Sequence, residues 1–340
     1  MTKTVAVIGG GLAGMEAVSE LLARGYAVSL LEENEISGGH LNQWDRLFPT
    51  KRKSSEVLDY LKRGLDPQIE VIYKADIQDI IKSGSQYRIS LSGRSDKTVD
   101  AVLLTTGFKV FDATRKEEYG YGIYDNVITN VDLERLFKEN SAITTASGKV
   151  PEKIGIIHCV GSRDEKAGNI HCSKVCCVTG VKQAIELKEM LPAAMIFCFY
   201  MDLRMFGMGY EELYKQSQEE FGIQFIRGRL SEAFENQDGS LMIKVEDTLT
   251  ARPLRMNVDL LVLLAGMMPS EGTTRLGKML ELKFNPNGFL QPLDEHTLIH
   301  DTWQPGVFLA GTCKGPKNIE ETLADARSAV VRIDRYLKSL

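Results

Sequence analysis

Four of the six cysteines, Cys159, Cys172, Cys176 and Cys177, crowd into one short stretch of the chain. Thiolates bind soft metals and iron–sulfur clusters, and thiols exchange disulfides, so such crowding points to a metal centre, a redox pair or packed apolar thiols. Cys159 closes an apolar, strand-like run that begins at Lys153, and Cys172-Ser-Lys-Val-Cys176-Cys177 follows after twelve intervening residues. A helix is expected to run on to about Met190, with Val181, Ile185 and Leu187 among its apolar positions. Four thiolates gathered from a strand end and one helical turn could hold a [4Fe–4S] cluster.

Other chemistries use the same residues. A structural zinc could recruit His158 and His171, each of which precedes a cysteine. If Cys172 and Cys176 are both helical they share one face, with Cα atoms about 6 Å apart, inside disulfide range. That pair would make an NAD(P)H-dependent thiol–disulfide oxidoreductase, although Cys159 and Cys177 would then have no role. Cys198 lies in the apolar run Met195–Met201 and reads as core, whereas Cys313 stands alone.

The elements that position these groups begin at the N-terminus. Val5-Ala-Val-Ile is a short buried strand that runs into Gly9-x-Gly11-x-x-Gly14, and a helix follows with Leu12, Met15, Val18 and Leu22 on one face. The first glycine allows the tight turn, the second lets the backbone approach a pyrophosphate, and the third lets helix and strand pack closely. Glu32 ends the next strand, where an acid reaches a ribose hydroxyl. The small-residue segment around Gly39, His40 and Leu41 suits a dinucleotide that continues past the pyrophosphate as a flavin. Near the C-terminus, Gly306-Val-Phe-Leu-Ala-Gly311 is a strand ending in glycine, followed by Thr312. Asn318, with Glu321 three residues on, caps a helix whose first residue is Ile319. The positive end of that helix is expected to face the flavin pyrimidine edge, so FAD is favoured over NAD.

The chain also contains an internal echo. Val99-Asp-Ala-Val-Leu-Leu-Thr-Thr-Gly107 is matched by Val258-Asp-Leu-Leu-Val-Leu-Leu-Ala-Gly266, each after a hairpin-like polar stretch, and Lys3–Ile8 is matched by Lys153–Ile157. This predicts an α/β protein with two Rossmann-like dinucleotide-binding domains. The second copy has no GxGxxG: its strand runs into His158-Cys-Val-Gly-Ser-Arg163, with Cys159 where the nicotinamide turn would be.

Composition narrows the partners. A formal net charge of −5 offers no clustered positive surface for nucleic acid. Apolar runs such as Val258–Ala265 are too short to span a bilayer, and no leader pattern precedes Thr4, so a cytoplasmic location is expected.

Together these residues resemble the FAD-binding A subunit of heterodisulfide reductase. The resemblance is carried by Val5–Gly14, Gly38-Gly-His-Leu-Asn-Gln43, Tyr121-Gly-Ile-Tyr-Asp-Asn-Val-Ile-Thr129 and Cys159-Val-Gly-Ser-Arg163. It continues through Cys172-Ser-Lys-Val-Cys-Cys177 with Lys182-Gln-Ala184, and Leu309-Ala-Gly311 leading to Gly315-Pro-Lys317. It implies a thioredoxin-reductase-like flavoprotein in which Cys159, Cys172, Cys176 and Cys177 ligate a [4Fe–4S] cluster. The chain lacks a C-x2-C-x2-C-x3-C run, so it resembles the short form found in heterodisulfide-reductase-like complexes of sulfur oxidisers. The implied partners are iron–sulfur subunits, and a homodimer within the complex is expected.

The expected layout is an FAD domain from residues 1 to about 115 and 265–340, with 116–264 forming the cluster-bearing domain. Gly9, Gly11, Gly14, Glu32, Gly39, Gly107 and Gly311 serve the cofactor, and Lys182 is the cation expected to tune it. Thr312 stands where many flavoproteins of this fold place an aspartate.

Overall fold

A computed structural model describes residues 2–66 and 69–340. In chain order, the elements that build the two sheets and their covering helices are β1 (Thr4–Ile8), α1 (Leu12–Leu22), β2 (Ala27–Leu31), β3 (Glu70–Ile72), β4 (Ala101–Leu104), β5 (Val127–Thr129), α2 (Asn130–Lys138), β6 (Lys153–Val160), α3 (Cys176–Met190), β7 (Met195–Tyr200), β8 (Gln224–Arg227), β9 (Leu260–Ala265), β10 (Val307–Leu309) and α4 (Ile319–Lys338).

Two five-stranded parallel sheets result. The first has the order β10-β4-β1-β2-β3 and the second β5-β9-β6-β7-β8. Their central strands are largely apolar, as strands covered on both faces are: Val5, Ala6 and Val7 of β1 and Ile154 and Ile156 of β6 are fully buried. In the first sheet Ala13, Ala17 and Leu21 of α1 pack with Ala326, Ala329, Val330 and Ile333 of α4 over β1 and β4. Small side chains at that contact let the two helices approach closely.

The internal echo is visible in hydrogen bonds as well as strand order. Asp100 Oδ2 accepts the Thr4 N–H at 2.8 Å, at the start of β1. Asp259 Oδ2 accepts the Glu152 and Lys153 N–H groups at 2.8 Å each, at the start of β6. The Val-Asp pair therefore recurs because one carboxylate ties each inner strand to its neighbour. The polar stretches before β4 and β9 are three-stranded antiparallel sheets rather than hairpins, over Ile77–Ser83, Gln86–Leu91 and Lys97–Val99, and over Leu230–Glu235, Leu241–Asp247 and Arg252–Val258.

The chain divides into two compact units: Met1–Asn42, Ser55–Lys109 and Met268–Leu340, and Gln43–Ser54 with Val110–Met267. The expected division kept residues 1 to about 115 together, whereas Gln43–Ser54 goes with the second unit. The reason is specific pairing within that unit. The Asp45 N–H donates to Glu134 at 3.1 Å, Arg46 and Lys51 pair with Glu189 at 2.9 and 2.7 Å, and Pro49 lies against Gly209. No helix among the described residues is long and apolar enough to cross a membrane.

Candidate functional site

In the first unit the β1–α1 turn is built as a cradle. Gly9 has φ +110°, and a Cβ there would meet the Thr105 carbonyl at 2.4 Å; one at Gly14 would meet the Gly9 carbonyl at 1.9 Å. Both must be glycine. At Gly11 a Cβ would meet nothing within 4 Å, which leaves the backbone open to an incoming group where α1 presents its unpaired N–H groups. Thr105 fastens the turn through its hydroxyl, which donates to Ile8 O at 3.0 Å and Gly9 O at 2.8 Å.

Glu32 is buried just beyond β2 and aimed by its neighbours. Its Oε2 accepts the Gly10 N–H at 2.5 Å, and its Oε1 accepts from the Asn34 backbone and side chain at 2.8 and 2.7 Å. Oε1 is filled by its two donors, whereas Oε2, with one, retains acceptor capacity for a hydroxyl donor. Gly39 lies against this turn, because a Cβ there would be 3.2 Å from Gly11 Cα. His40 stacks on Phe108 with centroids 4.1 Å apart, its Nε2 lies 3.0 Å from Phe108 O, and Leu41 is buried. Gly107 adopts φ +71° with open space around it.

After β10, the Gly311 N–H donates to Asp325 of α4 at 2.7 Å, and Lys314 donates to the other Asp325 oxygen at 2.8 Å. Thr312 is part of this turn, its carbonyl accepting the Gly315 N–H at 3.1 Å. Ile319 opens α4 behind a complete capping box between Asn318 and Glu321. An aspartate thus holds the turn beside Thr312, supplied by α4 rather than by position 312. Sequence reading followed only the apolar face of that helix and passed over Asp325. Cys313 is fully buried and burial pushes its thiol up to about 11, as expected of an inert core cysteine.

The second unit places thiols at the equivalent junction. Cys159 lies at the bulged end of β6 with φ +61°, and Cys176 and Cys177 open α3. Cys176 is a free thiol that shares hydrogen bonds with both Cys159 and Cys177; those contacts, with burial, raise its own pKa well above the ordinary thiol value. The same contact with Cys176 lowers Cys159, helped by Arg163 and Arg204. Cys177 falls to about 4, first through Cys176 and then through His158. The helix N-terminus beneath them favours the same thiolates.

Cys172 is not part of that chain of contacts. It is half-buried in the loop before α3, and its Sγ accepts the Lys174 N–H at 3.3 Å. The face that Cys172 and Cys176 would share if both were helical does not form, because α3 begins only at Cys176. Lys174 takes a positive φ of 64° and Ser173 is drawn inward, its Oγ accepting the Met267 N–H at 2.7 Å. No group of three or more His, Cys, Asp or Glu side chains among the described residues converges on a single ion. A cluster asks for a different arrangement, since each of the four thiolates that hold it can bind a different iron. The donor chemistry at Cys159, Cys176 and Cys177 fits such a group. His171 Nε2 lies 2.9 Å from Met267 O, and Cys198 is buried in β7, where burial raises its pKa.

Lys182 is buried on α3, with its Nζ held by Glu134, by Glu186 at 2.9 Å and by Arg46 O at 3.1 Å. Burial alone would lower its pKa, but the two carboxylates outweigh burial and raise it. Glu186 is pushed up to about 7, chiefly by burial. The cation expected to act on a cofactor is thus opposed by two acids of its own unit. Nothing in the sequence around Glu134 or Glu186 shows that both close on Lys182.

Residues 3–330 match the family described as pyridine nucleotide-disulphide oxidoreductase. The chain belongs to that family. Among solved structures, this family member matches thioredoxin reductase of Lactococcus lactis over 100% of both chains, with a TM-score of 0.69 at 16% identity. It matches thioredoxin reductase of T. acidophilum over 98% of both, with a TM-score of 0.67 at 16% identity. The fold is therefore thioredoxin-reductase-like, and membership of the matched family makes the chain an oxidoreductase.

By sequence it is 32% identical to the A subunit of the H(2)/formate:CoB-CoM heterodisulfide,ferredoxin reductase of Methanococcus maripaludis, covering 96% of this chain and 63% of that protein. It is 31% identical to the iron-sulfur A subunit of the CoB–CoM heterodisulfide reductase of Methanocaldococcus jannaschii, with the same coverage. The chain spans less than two-thirds of the length of these relatives. The first alignment runs over 414 positions, more than the 340 residues present here, so that relative carries segments inside the matched region that this chain lacks.

Proposed function

We propose that this chain is an FAD- and [4Fe–4S]-containing electron-transfer subunit of a heterodisulfide-reductase-like complex. It would relay electrons between its flavin and partner iron–sulfur subunits in cytoplasmic sulfur metabolism, assembled as a homodimer. The observation that carries this reading is the contact of Cys176 with both Cys159 and Cys177 at the junction where the first unit has its glycine turn. When bound, the flavin exchanges electrons in pairs and the cluster exchanges them singly.

The residues divide the work. Gly9, Gly11 and Gly14 admit the pyrophosphate, Glu32 receives the ribose, and Gly39, His40, Leu41, Gly107, Gly311, Thr312 and Ile319 line the path of the flavin. Cys159, Cys176 and Cys177 would hold the cluster, with Cys172 on the loop before α3 completing the set. Lys182 is assigned to tuning the flavin, and its pairing with Glu134 and Glu186 sets how much of its charge is available. A thiol–disulfide oxidoreductase working through Cys172 and Cys176 has less support, because the sulfurs that Cys176 meets are those of Cys159 and Cys177.

The test is FAD, iron and acid-labile sulfide content, with the visible spectrum, of anaerobically purified protein. Roughly four iron and four sulfide per FAD are expected, lost in Cys176→Ala. FAD without iron after cluster reconstitution would overturn the cluster reading and direct attention to the thiols as a redox pair.

A further inference from the structure

His158 precedes Cys159 on β6 and is 6% exposed. Among the described residues neither its Nδ1 nor its Nε2 has a hydrogen-bond partner. A buried polar group left unpaired is costly, and folded proteins keep few of them. This imidazole is nevertheless given a seat. A Cβ on Gly180 would come within 2.5 Å of Leu264 Cδ1, 2.8 Å of His158 Cε1 and 2.9 Å of His158 Nε2. Glycine is a poor residue for a helix interior, yet α3 keeps one here, and its bare backbone leaves room for both the ring and the Leu264 side chain.

Gly180 follows Cys177 by three residues, so the two share a face of α3. The ring therefore lies beside the Cys177 sulfur and acts on it. The bulge in β6, a register shift between Ile157 and Val160, re-aims this end of the strand.

We propose that His158 is a positioning residue whose imidazole N–H donates a hydrogen bond to the Cys177 sulfur when that sulfur ligates the cluster, and so raises the cluster's reduction potential. The proposal rests on the cluster reading above. A neutral imidazole has one N–H to give. Reduction adds negative charge that spreads onto the ligating sulfurs, so an N–H aimed at one of them stabilises the reduced state more than the oxidised one. Arg163 and Arg204, which act on Cys159, supply positive charge from the other side.

The test compares wild type, His158→Leu and His158→Gln, purified anaerobically, by iron and sulfide content and by a redox titration followed by electron paramagnetic resonance. Histidine labelled with nitrogen-15 reports whether an imidazole nitrogen couples to the reduced cluster. The expected result is that His158→Leu keeps its iron, titrates at lower potential and loses the nitrogen coupling seen in wild type. His158→Gln, which restores an N–H, is expected to recover part of the shift. Gly180→Ala, which keeps the histidine but crowds its ring together with Leu264, should shift in the same direction as His158→Leu. Unchanged potentials in His158→Leu and Gly180→Ala, with no histidine coupling in wild type, overturn the proposal while leaving the cluster reading intact. Iron absent from the wild type overturns both.

Discussion

The β1–α1 and β6–α3 junctions occupy equivalent places in two sheets of equivalent strand order, and they differ in what fills the turn. At β1–α1 side chains have been removed: Gly9 and Gly14 cannot carry a Cβ and Gly11 opens onto empty space. At β6–α3 side chains have been added, with Cys159 near the end of the strand and Cys176 and Cys177 opening the helix. One architecture thus presents backbone N–H groups in one copy and sulfur in the other. The lesson is that a strand-to-helix turn supplies a location and a dipole, while the residues placed there choose the chemistry.

The comparison can be broken most completely by exchanging the losses. Gly14→Val, whose added atoms would collide with the Gly9 carbonyl, is expected to abolish FAD binding with the thiols intact. Cys176→Ala is expected to abolish iron and sulfide while FAD remains. Flavin absorbance and iron content in the two proteins measure this, and loss of both cofactors in either variant would sink the idea of separable sites.

A smaller effect concerns the buried acid behind the second junction. Glu186 is raised from 4.5 to about 7, so the folded chain keeps a proton that the unfolded chain releases between those values. Stability is expected to fall as pH rises through that window, by on the order of 3 kcal/mol in total. Glu186→Gln should flatten this part of the profile in thermal or denaturant melts across pH 4 to 8, whereas an unchanged slope would show that the proton resides elsewhere.

In the first unit, Thr105→Val removes the hydroxyl that fastens Ile8 and Gly9. A loss of about 1–2 kcal/mol is expected, seen as weaker FAD retention during dilution. The smallest effect is at Asn318→Ala. Losing that cap should cost about 1 kcal/mol of stability, read as a lowered melting temperature with FAD still bound.

Much of the scaffold was legible because local rules and tertiary demands agree. The run from Val5 to Gly14, the acid at Glu32 and the cap at Asn318 each announce an element whose form is decided within a few residues. The repeat was legible from paired strands, and its Val-Asp steps turn out to share one structural task. The rest depended on partners distant in sequence. Nothing within Gln43–Ser54 reveals that Asp45 and Arg46 will meet Glu134 and Glu189. Lys182 is expected on sequence to tune the flavin, and nothing near it in the chain shows that Glu134 will enclose it from α2. Whether Cys172 joins the helix is left open by the sequence; Ser173 is drawn inward by Met267 and Lys174 turns left-handed, so the helix starts after it.

The excursion of Gln43–Ser54 bears on how this architecture can be cut. The polypeptide passes from one unit to the other four times, not twice. A fragment excised at Val110–Met267 would therefore leave behind the residues that meet Lys182, Glu134 and Glu189. The second unit is not a cassette that can be lifted out whole. Any transplant of it into another protein must bring along twelve residues taken from far upstream.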